Sequence, residues 1–185
     1  NVVSMITHAV GVANPTVDFS QFDGNGDGYV DYLIVVHAGG DQAITGSADD
    51  IWSHRGYNTQ TPLVDGVRIG YYVTVSEDDA MGTFSHEFGH SFGLPDLYDT
   101  DYSSDGIGVW GMMAAGPHLD DGDTPAHFCA WSKDYLGWLD PIEVTENLID
   151  HLVVPVETNQ VAYRLSVSTK EYFLVENRQR VGYDS

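Results

Sequence analysis

The apolar and polar positions of this chain fall into blocks whose period changes along its length. Residues 32–36 form a short β-branched run between glycine-rich stretches and predict a buried strand. Residues 67–75 alternate less cleanly but are rich in Tyr and Val, which suits an edge or near-edge strand. Residues 80–92 contain no proline. Asp78 and Asp79 precede them, where negative charge favours a helix N-terminus, and Gly93 and Pro95 follow, so this block predicts a helix. A second helix is expected over 124–136, with Pro125 in its first turn and Gly137 beyond its end. From Ile142 onward the pattern changes to short apolar runs at 152–154, 161–167 and 172–176, each read as a strand. The chain is therefore expected to divide into a larger part, 1–140, and the start of a β-rich piece, 141–185. No internal repeat is visible.

Composition narrows the partners more than the fold. Seven Lys and Arg stand against 28 Asp and Glu, a net charge of −21 that repels nucleic-acid phosphates and anionic lipid. No apolar run approaches the roughly 20 residues that a membrane span needs. Neither nucleic acid nor membrane insertion is expected. The acidity itself reads as a solvated surface, suited to salty surroundings or to cations. Cys129 stands alone in the sequence and reads as a buried small hydrophobe. Asn1 lacks a start methionine and the last residues follow directly on strand-like sequence, so the chain is expected to be a piece of a longer precursor.

The chemistry concentrates in His86-Glu87-Phe88-Gly89-His90-Ser91-Phe92-Gly93-Leu94-Pro95-Asp96. Two histidines four apart project from one face of a helix and can grip one zinc ion. Glu87, turned about 100° from His86, reaches the same region and can take a proton from an attacking water. Gly93 can adopt the left-handed conformation that ends a helix and returns the chain, Pro95 stiffens the return, and Asp96 then supplies a third ligand. Three protein ligands leave a position open for catalysis, whereas a structural zinc would be closed by a fourth side chain. The competing reading is a helix with two solvated or core histidines.

The elongated motif resembles that of the metzincin clan, and residues 84–99 resemble the active-site helix and turn of one branch, the immune inhibitor A-like (M6) peptidases. Residues 109–116, Val-Trp-Gly-Met-Met-Ala-Ala-Gly, resemble the Met-turn of that family, with Met113 favoured over Met112 as its methionine. Residues 50–55, 137–139 and 171–178 also resemble family segments. The resemblance implies an α+β zincin fold: a twisted mixed sheet backed by helices, an active-site helix and a Met-turn, followed by a short β-rich segment. It implies that 1–140 is a zinc metallopeptidase catalytic domain, acting on protein or peptide substrates. It also implies a secreted or cell-surface bacterial endopeptidase. An extended substrate would pair with an edge strand, expected at 71–76.

A second metal loop is expected at Asp23, Asn25, Asp27, Tyr29 and Asp31. Oxygen ligands at alternate positions around glycine turns, with one carbonyl from Tyr29, suit calcium. The twelfth position is Ile34 where an EF-hand has Glu, so Asp31 would close the site; the plainer reading is a turn before a strand. The M6 resemblance includes this stretch. Asp99, Asp101 and Asp105 read equally as a further calcium site or a solvated loop. His8, His37, His127 and His151 read as structural or surface residues, His118 as a weak candidate for transition-state stabilisation, and His54 has no assigned role. Two rival functions remain: a zincin fold without catalysis that serves binding or adhesion, and a calcium-stabilised structural domain.

Overall fold

The computed structural model describes residues 1–101 and 103–184, which form two compact units, 1–93 and 94–185. In the first, helix α1 (Val2–Ala13) is capped by Asn1, whose side chain accepts from the Val3 N–H. Its β-branched residues gave no helical signal; what holds it is one face, Ile6 and Val10, buried against the molecule. Val10 packs with Phe19, Val30, Val67 and Ile69 in the core of this unit.

Strand β1 (Ile34–His37), the single turn α2 (Gln42–Thr45), β2 (His54–Tyr57), the small hairpin β3 (Leu63–Val64) and β4 (Val67–Arg68), and β5 (Tyr71–Ser76) follow, and lead into helix α3 (Met81–Ser91). The main sheet has the order β1-β5-β2, with β1 parallel and β2 antiparallel to β5. The expectation of an edge strand at 71–76 is thus corrected. Val73, Thr74, Val75 and Ser76 are almost fully buried, so both faces of β5 are covered and it takes the central place. The edge beside it is β2. The helix expected at 80–92 is present as α3, and Gly93 at φ 88° ends it as anticipated. Asp79 departs from its expected role. The residue at the helix entrance, Ala80, makes no side-chain cap, and Asp79 instead accepts from Ser76 N–H at 2.8 Å and Ser53 hydroxyl at 2.6 Å.

The second unit is richer in turns. Helix α4 (Ala130–Tyr135) is half the length expected. Residues before it are held extended instead: Ala126 N–H donates to Gly116, His127 N–H to Asp184, and Met112 N–H to the His127 carbonyl. Strands β6 (Ile142–Glu143), β7 (Tyr163–Ser166) and β8 (Tyr172–Val175) form a three-stranded sheet, parallel between β6 and β7 and antiparallel between β7 and β8. Ala130, Leu139 and Ala162 pack beneath it with Leu174. The run at 152–154 is not a strand; Asn177 binds the Val153 carbonyl through its side chain, and Pro155 bridges to Asn177. The whole is a mixed α+β architecture with small mixed sheets.

Candidate metal centre

One group of three or more His, Cys, Asp or Glu side chains converges among the described residues, and it lies on α3. His86, Glu87 and His90 bring their ligand atoms within 4.8 Å of one another. Helical spacing does this: the two imidazoles stand one turn apart, with ring centroids separated by 4.8 Å and planes near perpendicular. Gly82 and Gly89 are buried along α3 together with Glu87. The two imidazole nitrogens, with a carboxylate close beside them, fit a zinc ion.

Glu87 is 9% exposed, and its Oε2 accepts a hydrogen bond from the main-chain N–H of Arg55 at 2.7 Å. Arg55 sits on β2, far away in sequence, and its guanidinium lies 3.9 Å above the Tyr71 ring. Ser53, just before β2, is 2% exposed and joins Asp41, Asp79 and Ser76 in a buried hydrogen-bond network. That network ties the start of β2 to the turn that feeds α3. Neither Arg55 nor Ser53 was foreseen as part of the site. Their roles depend on strand register between segments some 30 residues apart, for which the sequence offers no local signal.

Asp96 is half-buried in the second unit, past Gly93 and Pro95. Met112 and Met113 are both buried and form a core with Leu94 against Leu97, Phe128 and Trp131. His54 uses both ring nitrogens structurally, on the Trp52 carbonyl at 2.7 Å and the Tyr72 hydroxyl at 3.2 Å. His151 bonds the Tyr163 hydroxyl, His37 is buried, and His8 and His118 are exposed.

In the 23–31 loop the side-chain oxygens turn inward on main-chain amides. Asp23 accepts from Asp27 and Gly28 N–H, Asn25 from Asp27, and Asp27 from Tyr29. Asp31 reaches back to accept from the Gly24 N–H at 2.8 Å. Asp99 is similarly occupied, by the Ser103 hydroxyl first, then by the main chain of Asp101 and by Ser104. These donors hold its carboxyl well below the usual carboxylate range.

Residues 15–138, two thirds of the chain, match the family model of the immune inhibitor A peptidase M6 catalytic domain. The chain belongs to the M6 peptidase family. Among M6 relatives, it is 34% identical over 158 residues to Immune inhibitor A of Bacillus thuringiensis subsp. alesti, covering 68% of this chain and 23% of the relative. It is 33% identical over 143 residues to the pre-pro-metalloprotease PrtV of Vibrio cholerae serotype O1, covering 64% and 16%. This M6 chain therefore matches a quarter or less of the length of those relatives. No helix among the described residues is long and apolar enough to cross a membrane. The M6 membership agrees with the metallopeptidase reading of the sequence, and a metallopeptidase domain of this kind fits the mixed α+β fold.

Proposed function

We propose that this chain is the catalytic part of a zinc-dependent endopeptidase in which His86, His90 and Asp96 hold the metal and Glu87 is the general base. The observation that carries the reading is the convergence of the His86, Glu87 and His90 ligand atoms within 4.8 Å of one another on α3, in a chain of the M6 family. Zinc at that position supplies Lewis-acid polarisation of the scissile carbonyl and makes a neighbouring water acidic enough to react near neutral pH. Glu87 takes the proton from the attacking water and returns it to the leaving amine, a task suited to a carboxylate held in a largely buried place. Gly93 turns the chain so that Asp96 can complete the ligand set, and Met113 serves as the Met-turn methionine.

The substrate is an extended peptide, and β2 is the strand it pairs with. Asn58 N–H donates to Gly70 in register with the β2–β5 ladder, so residues 54, 56 and 58 face β5 while Arg55 and Tyr57 turn their main chain outward. A peptide added along that side gains main-chain hydrogen bonds at Tyr57 and at the Arg55 carbonyl. The loop of Asp23, Asn25, Asp27, Tyr29 and Asp31 holds a structural calcium ion, supported by the return of Asp31 onto Gly24. Residues 1–140 form the catalytic domain and 141–185 begin a β-rich piece. The working place is outside the cell or on its surface, a reading supported by the "pre-pro" in the name of the Vibrio cholerae relative.

Casein or gelatin hydrolysis by the full-length protein, beside Glu87→Ala, tests the assignment. Activity should fall by at least about 10²-fold in the variant, the lower end of what general-base catalysis contributes. Zinc should remain at one ion per chain in the variant and drop in His86→Ala. Comparable hydrolysis by Glu87→Ala would refute the assigned base.

A further inference from the structure

The contact between Glu87 and β2 has a chemical asymmetry that the ladder geometry makes testable. In an antiparallel pair, residues alternate between those that bond the partner strand and those that point away. The Asn58–Gly70 bond fixes the phase: His54, Gly56 and Asn58 bond β5, and the N–H of Arg55 points to the open side of the sheet. Val73, opposite Arg55, sends its own N–H to Leu33 on the other side, which fits the same phase. An outward amide on an edge strand ordinarily meets water or an incoming strand. Here it meets the Glu87 carboxylate at 2.7 Å.

We infer that the Arg55 main-chain N–H is a positioning group for the general base, fixing Glu87 Oε2 so that the carboxylate keeps one orientation through turnover. The inference rests on the reading of Glu87 as the base. A main-chain donor to a carboxylate makes a short, charge-assisted hydrogen bond, and it cannot rotate away as a side-chain donor can. The donor is itself held at three places. Flanking residues of β2 are laddered to β5, the Arg55 side chain stacks on Tyr71, and Ser53 is bonded to Asp41 and Asp79. Asp79, two residues before the start of α3, in turn binds Ser76 at the end of β5. The strand that supplies the donor and the helix that supplies the acceptor are thus pinned to the same turn. A further consequence is that the substrate's ladder on β2 lacks the Arg55 amide, so pairing starts from the Arg55 carbonyl and Tyr57.

Proline at position 55 removes the N–H without touching the β2–β5 ladder, since that amide takes no part in it, and outward positions of edge strands accept proline. Alanine at 55 removes only the guanidinium and keeps the donor. In the full-length protein, Arg55→Pro should lower kcat by about 10- to 100-fold, the scale of a misplaced catalytic group, with KM changed less than about threefold. Zinc content should stay that of the parent, and Arg55→Ala, which loses the Tyr71 stacking but keeps the donor, should lower kcat clearly less than Arg55→Pro does. A second measurement stands apart from activity. By hydrogen exchange and mass spectrometry, the peptide containing residues 53–57 should carry one slowly exchanging amide more in the parent than in Glu87→Ala. Equal kcat for Arg55→Pro and Arg55→Ala, or equal exchange in parent and Glu87→Ala should Arg55→Pro fail to fold, overturns the inference. If instead Glu87→Ala remains active, it is the assignment of the base that has failed, and the two failures are told apart.

Discussion

At the scale of single residues, the most exposed commitment of the fold is charge placed out of water. Arg178 and Asp184 have side chains only 9% and 7% exposed, and Arg178 also binds Glu176 at 3.2 Å and the Trp110 carbonyl at 3.0 Å. Removing one partner from such a cluster leaves the others buried without compensation, which costs about 3–5 kcal/mol. Arg178→Met should therefore cut the urea midpoint of the second unit steeply, while Arg180→Met, an exposed neighbour, should change it little. The histidine beside this cluster gives the pH dependence. Burial first, and Lys133 second, push the His127 imidazole below its ordinary 6.5. The unfolded chain then binds a proton at higher pH than the folded one, so the contribution of His127 to stability is complete above pH 6.5 and is lost as pH falls through the lowered value. Urea unfolding between pH 7.5 and 5 should show that decline, and His127→Asn should flatten part of it; an unchanged slope would remove His127 as its source. The sequence made His86, Glu87 and His90 legible because their relation is confined to one turn of helix. Arg55 was not legible, since its amide acquires meaning only through the register of a strand that pairs with β5.

Elements obeyed their local signals where burial agreed with them and departed where it did not. The helix at α3 was legible from its flanking Asp, Gly and Pro residues, yet Asp79 serves the strand end and not the helix entrance. Strand β5 was visible as a strand, but its place in the sheet was not. Edge and centre differ in what covers the two faces, and that is decided by β1, β2 and α3 together. Helix α4 lost its first half because residues 126 and 127 found main-chain partners in Gly116 and Asp184, a competition that helix propensity cannot report. The junction of β2, β5 and α3 carries the element-scale prediction. Asp79→Ala leaves the buried Ser76 amide and Ser53 hydroxyl without their shared acceptor, a loss of about 1–3 kcal/mol. Because those bonds align β2 with α3, kcat should fall further than the loss of folded protein explains, and thermal unfolding beside active-fraction titration separates the two. Gly56 lies in the same strand for a steric reason: a Cβ there would meet the Tyr72 ring at 2.5 Å. Gly56→Ala should displace that ring, disturb the His54–Tyr72 bond and cost about 1–3 kcal/mol by differential scanning calorimetry.

For the molecule as a whole the governing quantity is a net charge of −21 on 185 residues. Such a charge favours the expanded chain through self-repulsion, and any added cation relieves it by screening. A rise in melting temperature with calcium is therefore no sign of a calcium site unless screening has been removed from the comparison. At about 0.15 M ionic strength the screening length is already near 8 Å, so a further millimolar of any divalent ion changes it little. A site that binds only the folded chain behaves differently: ligand at about a hundred times its dissociation constant adds about 2.7 kcal/mol. The decisive measurement sets 2 mM calcium against 2 mM magnesium in the full-length protein at that constant ionic strength, with Asp23→Ser and Asp27→Ser alongside the parent. If the 23–31 loop holds calcium, the parent should gain several degrees from calcium over magnesium, and both variants should lose that gain while keeping their response to sodium chloride. Magnesium is the stringent comparison because it carries the same charge but demands a tighter octahedral shell than a flexible loop of carboxylates and carbonyls provides. An equal response to both ions would assign the effect to the acidity of the whole surface and leave the loop as a turn before β1.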